Sequence, residues 1–461
     1  MLVEHGGTSV LIDPWLVGSC YWRSWWNYPE PPPELIDSLE PEYVYITHLH
    51  WDHFHGPSLR RFDRKTRILV PQLPTTRRMV DDLAFLGFHD VEEIPHGGSV
   101  DLGGGLDLHS FQTGPGSDSA VVLSDGRTTL LNANDCKIFG HSLAQILQRF
   151  PSPDFAFRSH SSARPTPYCI EGFEEHFSTM RPPAQYAEDF ARFSLFTGAR
   201  HAIPFASNHC YLHRETLPFN ALVNSPASAR ARTRELAAQH GRDVECVVMP
   251  PGSTWDDDDG FAVVDFDYGE DAKTRYIADM LERHADALAE RDRLEAGVEP
   301  DEEAFVRYFE PMMRGASRML ARRMVGSVAF DVGTRDDPRY WLLDFEHGRI
   351  RTDVVEQPDV VFRTAAAILN DCCQIRMFST WSASKRLRIA LAEPDMVRRS
   401  SGFLQLLDLF ELEFLDPAKH FTRRSLVNRA LRWREPLDAV DYLRASRRAR
   451  GGAPELYPLA S

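Results

Sequence analysis

Between Tyr43 and Gly56 the chain reads YVYITHLHWDHFHG, and this stretch constrains the fold more than any other. The run YVYI is β-branched and aromatic, which predicts a strand. The following GPSLRRF opens with turn residues and then turns helical. Four of the chain's 18 histidines, His48, His50, His53 and His55, and one carboxylate, Asp52, therefore sit in a loop between a strand and a helix. Folds that alternate strands and helices place chemistry at such loops. A lone histidine is usually a surface residue or a satisfied core residue. Four within eight positions need another explanation, and neutral imidazole is the commonest metal ligand. If the strand geometry persists, His48 and His50 point the same way. The turn then brings Asp52 and His53 round to a second position. The pattern His-x-His-x-Asp-His suits two metals side by side, one on His48 and His50 and the other on Asp52 and His53.

Further ligands must come from elsewhere. LLNANDC (Leu130–Cys136) ends an apolar strand in Asn-Asp, so Asp135 is placed to bridge two ions. TGPGSDS (Thr113–Ser119) offers Asp118, with His109 as a competitor from the same region. IPFASNHCYLH (Ile203–His213) carries His209 and His213, four apart. On one helical turn they would share a face, and either completes the set. His160 reads as a supporting or surface residue. The loop CYWRSWWNYPEPPP (Cys20–Pro33) contains Trp22, Trp25 and Trp26. It is either an aromatic lip that grips substrate over the metals or packing against a second domain. Arg23, Arg158 and Arg214 are weaker candidates for an anionic substrate.

The first 255 residues are rich in short strands with helices between them, which implies sheets covered by helices. SDGR (Ser124–Arg127) predicts a hairpin turn, because Asp-Gly favours positive φ. WDDDDGF (Trp255–Phe261) is an acidic break, giving expected domains of 1–255 and 256–461. Helices are expected over about 272–288 and 301–323, then three strands from Ser327 and a helix from about Thr364. The tail after Ala418 is Arg-rich and helical, and reads as a solvated face or a contact for an acidic partner.

Composition excludes several classes. With a net charge of −15 the chain is a poor nucleic-acid binder. It has no run of about 18 apolar residues, so no membrane span is expected. MLVEHGGTSVLIDPW lacks the basic and apolar regions of a signal peptide. Seven scattered cysteines suggest a reducing compartment, hence a cytoplasmic expectation. No C-x-x-C or C-x-H pattern is present, so no iron–sulfur or Rieske cluster is expected within these residues.

THLHWDHFHG matches the signature of the metallo-β-lactamase fold, an αββα sandwich with metals at its strand ends. LIDPWLVG, DSAVVLSDG with LNANDC, and IPFASNHCYLH further resemble the lactamase-fold portion of CMP-N-acetylneuraminate hydroxylase and its bacterial relatives. A weaker likeness continues into DVVFRTAAAILNDCCQIRMFSTWSASKRLRI. The expected fold is α/β, the sandwich followed by a smaller α+β region with a helical tail. The resemblance implies iron, one or two ions, and oxygen-dependent hydroxylation of a small molecule. It carries over His48, His50, Asp52, His53 and Asp135 as ligands. Asp118 stands where hydrolases of this fold have a histidine, and His213 is favoured over His209, which then falls near substrate. A carboxylate-rich set suits iron or manganese better than zinc. Without a Rieske motif here, electrons would come from a separate reductase. The alternative is a metal-dependent hydrolase of a phosphate, ester or amide, with Asp52 orienting a metal-bound water.

Overall fold

The structure, a computed structural model, describes residues 1–114, 118–172, 183–316, 324–334, 336–449 and 454–459. Alternation along the N-terminal strands explains its first layer. In the neighbouring parallel strands Thr8–Ile12, Tyr43–Tyr45 and Arg67–Pro71, the residues Val10, Ile12, Tyr43, Tyr45 and Leu69 face one side. Leu11, Val44, Ile68 and Val70 face the other. This is the period-two pattern of strands buried on both faces. Leu2–His5 pairs antiparallel at one edge and Val91–Ile94 pairs parallel at the other, giving a five-stranded sheet.

A second sheet runs, in spatial order, Glu245–Cys246, His201–Pro204, Phe155–Arg158, Thr129–Asn132, Asp118–Ser124, Asp107–Thr113 and Ser99–Asp101. The expected hairpin at Asp125-Gly126 joins two of its strands, with Asp125 Oδ1 accepting from the amides of Arg127 (2.8 Å) and Thr128 (2.6 Å). Val121, Leu123 and Leu108 interdigitate with Val10, Ile12 and Leu69 of the first sheet, so the two sheets stack face to face. Helix Arg78–Phe85 covers the outside of the first sheet through Met79 and Leu83. Helices Gly140–Arg149 and Ala184–Thr197 cover the second through Leu143, Ile146 and Phe193. The result is the four-layer αββα sandwich of the metallo-β-lactamase fold.

The acidic break forms a tight hairpin, Thr254–Asp256 against Gly260–Ala262. The single helix expected over 272–288 is two, Glu270–Arg283 and Ala285–Glu295, broken at His284. Helix Glu302–Gly315 matches the start of the next expected helix; part of the remainder of that expectation, residues 317–323, lies outside the described residues. The three strands expected from Ser327 are joined by two not expected, Val360–Arg363 and Arg388–Leu391, in a five-stranded mixed sheet ordered Arg349–Val354, Tyr340–Asp344, Ser327–Asp331, Val360–Arg363, Arg388–Leu391. Phe305, Phe309, Phe330, Phe362, Trp381 and Phe403 build its core. That core is not separate from the sandwich, because Tyr21, Trp22, Trp25, Tyr168 and Tyr211 belong to it. The chain also returns at its end, where Tyr457 packs on Phe193 in the sandwich and donates to the Ile138 carbonyl (2.9 Å). Residues after 255 therefore wrap the sandwich as well as forming their own sheet.

Candidate metal centre

The His loop begins where the central strand Tyr43–Tyr45 runs out. Two anchors fix it. The carboxylate of Asp13, at the end of the adjacent parallel strand, accepts from the Thr47 amide (2.8 Å), the Thr47 hydroxyl (2.8 Å) and His53 Nδ1 (2.7 Å). The His53 and Phe54 amides close a turn onto the His50 carbonyl (3.0 and 2.7 Å). Asp135 is held by its neighbour. Asn134, at φ 38°, accepts the Asp135 amide on its own side chain (2.7 Å) and donates to the Ser119 carbonyl (2.8 Å). Asparagine tolerates that left-handed conformation better than most residues.

The donors converge. Atoms of His48, His50 and Asp135 lie within 4.8 Å of one another, and so do atoms of Asp52, His53 and Asp135. Asp135 is thus common to two three-residue groups, with His48 Nε2 2.9 Å from His50 Nδ1 and His53 Nε2 3.4 Å from Asp52. Asp118, the first residue of its strand, lies close enough to His48 for its charge to act on that ring.

The electrostatics are those of a cation site. Burial alone would raise the Asp52, Asp13 and Asp135 carboxyls, but His53 overrides it and holds all three below the usual range. Burial would lower His53, yet Asp52 and Asp13 push it well above the usual histidine value. His48 is pushed down to about 4, by burial first and by His53 second. Three carboxylates thus lean on a single imidazole, a local excess of negative charge that a bound cation would offset.

His209 and His213 do not share a helical face. His209–Tyr211 is a strand, paired antiparallel with Trp25–Asn27, and this register stacks the His209 ring on Trp25 at 3.7 Å. His209 is buried with neither ring nitrogen hydrogen-bonded, within range of the Asp52 and Asp135 charges. Burial lowers its pKa to about 3. An imidazole buried without a partner is costly, and a metal on its open side would satisfy it. The structure brings His213 elsewhere. Its Nδ1 accepts the Glu215 amide (3.3 Å) and its Nε2 faces Asp292 (3.4 Å).

The tryptophan loop is not an open lip. Trp22, Trp25 and Trp26 are all buried, and Trp22 Nε1 donates to Asp371 (2.8 Å), so the loop packs against the C-terminal elements. Trp22 and Trp25 join the C-terminal core, and Trp26 packs with Cys210, Leu212 and Tyr268. Arg158 is buried against Phe193 and Tyr457, and Arg214 pairs at the surface with Asp292. His109 packs on Phe150 and His55 bonds Ser58 (2.7 Å). His160 is fully buried.

Three neighbours of the site escape sequence reasoning. Tyr21 donates to Asp52 Oδ1. Asp13 orients His53, and only its place at a strand end beside the His strand hinted at this. Lys385, buried, reaches in from the C-terminal sheet region to the Ser162 carbonyl (3.0 Å) and the Tyr211 hydroxyl (2.8 Å). Burial lowers its pKa to about 8.

No family model matches the sequence. The chain is 28% identical over 387 residues, 78% of this chain and 73% of the relative, to a protein of Mycolicibacterium smegmatis named as a Rieske 2Fe-2S iron-sulfur protein. It is 26% identical over 142 residues to the mouse cytidine monophosphate-N-acetylneuraminic acid hydroxylase, covering 30% of this chain and 25% of that one. Among solved structures it is similar to isothiocyanate hydrolase from Delia radicum gut bacteria, at 16% identity and a TM-score of 0.38, over 54% of this chain and 93% of that one. Its two stacked sheets, its His-x-His-x-Asp-His loop and the donors gathered there give the chain the metallo-β-lactamase fold with a candidate metal centre, and part of its sequence is similar to the CMP-N-acetylneuraminate hydroxylases.

Proposed function

We propose that the chain is an iron-dependent oxygenase that hydroxylates a small organic molecule. The observation that carries this reading is the donor set: Asp135 shared between His48/His50 and Asp52/His53, with Asp118 beside His48. Such a mix of imidazole and several carboxylates suits a hard, redox-active metal better than zinc. In this proposal His48, His50, Asp52, His53 and Asp135 would hold the metal, with Asp118 and His209 as further donors beside them. Bound iron would supply the one-electron chemistry that activates dioxygen. The chain's own part is positional. Asp13 fixes the His53 tautomer so that Nε2 faces the site, as outer carboxylates do for ligating histidines. Tyr21, by donating to one Asp52 oxygen, leaves the other free to ligate. Trp25 stacks on His209 and meets Tyr211 edge-on, so these rings fix the His209 imidazole beside the site. Electrons would come from an iron–sulfur donor, a reading supported by the Rieske names of the mycobacterial relatives.

The test is metal analysis combined with oxygen uptake. Protein loaded with iron should consume oxygen when given a reductant and substrate, and zinc-loaded protein should not. Substrate turnover under strict anaerobic conditions, or full activity with zinc alone, would replace this reading with the hydrolase.

A further inference from the structure

Helices normally bury their apolar face. The two helices Arg423–Leu431 and Glu435–Arg448 do the reverse. From 421 to 449 the only buried residues are Ser425, Asn428, Arg432 and Asp438, all polar. Asn428, Arg432 and Asp438, with their neighbours Arg424 and Glu435, fasten the helices to the sandwich through hydrogen bonds. Arg424 bonds Glu93 (2.8 Å), Asn428 bonds Gln112 (3.3 Å) and Arg432 bonds the Gly114 carbonyl (2.6 Å). Asp438 caps helix Gly140–Arg149 by accepting from the amides of His141 (2.5 Å) and Ser142 (3.2 Å). The apolar residues point outward. Phe421, Leu426, Val427, Leu431, Trp433, Leu437, Val440, Tyr442 and Leu443 are all exposed, Trp433 by 62% and Leu443 by 58%. No residue of this stretch joins any apolar core among the described residues. A patch of this composition is well beyond the scattered exposed leucines of ordinary surfaces.

Charge narrows what covers it. Residues 419–448 carry nine Lys and Arg against three Asp and Glu, on a chain of net charge −15. Arg423, Arg447 and Arg448 have no ion-pair partner among the described residues. Leu437, Val440, Leu443, Arg444 and Arg447 follow helical spacing along one outer face, apolar at its start and cationic at its end. A two-fold pairing of this patch with a second copy would set arginine against arginine. A transient redox partner buries a small, polar area and does not need nine large apolar side chains. Aliphatic and aromatic side chains flanked by arginines, on helices that lie along the body, are the signature of an interfacial segment. We propose that these helices dock the protein on an anionic lipid bilayer, lying on the membrane without crossing it. No helix of the described residues is long and apolar enough to cross one. The acidic remainder of the chain is repelled by the same lipids, which orients the molecule with this face down.

Flotation of the full-length protein with vesicles tests this. With equal parts phosphatidylcholine and phosphatidylglycerol the protein should float; with phosphatidylcholine alone, or in high salt, partitioning should fall by about tenfold or more. Two exposed variant sets should each abolish it, Leu437→Glu with Leu443→Glu, and Arg444→Gln with Arg447→Gln and Arg448→Gln. Circular dichroism and metal content of both should match the parent protein. Failure of the parent protein to float with the anionic vesicles overturns the proposal. A concentration-dependent dimer in light scattering that the leucine variants dissolve also overturns it, because a second copy then covers the patch.

Discussion

Replacing Asp13 by Asn alters one atom and should weaken metal binding ten- to a hundredfold. Asp13 sits at φ 48°, where Asn is tolerated but Ala is strained, so Asn is the clean perturbation. The carboxylate uses Oδ1 for the Thr47 amide and Oδ2 for both the Thr47 hydroxyl and His53 Nδ1. An amide has one oxygen. If it serves the Thr47 amide, the NH2 group faces His53 Nδ1, and His53 must then accept there and carry its proton on Nε2. That nitrogen is the one 3.4 Å from Asp52 and 3.7 Å from Asp135, so the proton occupies the metal's place. Loss of such an outer carboxylate typically costs ten- to a hundredfold in affinity, or about 1.4–2.7 kcal/mol. Losing a hydrogen bond to a charged group also costs about 1.5–3 kcal/mol of stability. Chelator competition at fixed pH reads the affinity, and urea unfolding of the metal-free protein reads the stability. An affinity for the Asn variant within twofold of the parent would refute the claim that Asp13 sets the His53 tautomer.

His209→Ala should lower retained metal after dialysis while His213→Ala leaves it unchanged, by elemental analysis; equal loss in both would remove His209 from the ligand set. Arg386→Met should cost about 1.5–3 kcal/mol in urea unfolding, because Glu295 (2.6 and 2.7 Å from the guanidinium) keeps Arg291 but loses two charged hydrogen bonds, and half-exposed Glu215 (3.2 Å) loses its own; an unchanged midpoint would show that Arg291 and water fully replace the guanidinium. Lys385, with a folded-state pKa near 8 against an ordinary 10.5, binds fewer protons folded than unfolded between those values, so its contribution to stability rises with pH across that window, by roughly 3 kcal/mol at most. Lys385→Met should flatten that rise, and identical pH profiles for the two proteins would count against a buried, depressed amine.

Legibility followed locality. The gathering of the His loop was readable because side chains two and three residues apart are placed by strand and turn geometry alone, and that of Asp135 because an apolar strand ending in Asn-Asp has a fixed outlet. His209 was not readable as to geometry. A helix and a strand both accommodate HCYLH, and the strand won because Trp25–Asn27 supplied a pairing partner nearly two hundred residues away. The tryptophan loop left lip and packing equally open, and burial against Asp371 and the C-terminal core decided it. The outward apolar face of the last helices was hidden among arginines. The sequence pattern is amphipathic either way, and only the buried Ser425, Asn428 and Asp438 reveal which face is inside.

Besides Lys385, the C-terminal region reaches the candidate metal centre through one turn. Tyr21, Trp22 and Arg23 have φ of 56°, 53° and 64°, three consecutive side-chain-bearing residues in the left-handed region. Each costs about 1–2 kcal/mol there, so the turn does not hold itself. Its restraints come from residues far along the chain. Arg386 donates to the Trp22 carbonyl (3.1 Å), Asp371 accepts the Trp22 indole, and Ser24 Oγ donates to the Ser384 carbonyl (2.7 Å). What the strained turn achieves is the placement of the Tyr21 hydroxyl on Asp52, from a position in sequence that a relaxed loop would not aim there. Strain of this kind persists only where surrounding structure over-determines it. The C-terminal region is thus part of the construction of the candidate site: residues 371–386 hold the turn, the turn holds Tyr21, and Tyr21 engages one oxygen of Asp52 and leaves the other toward His53.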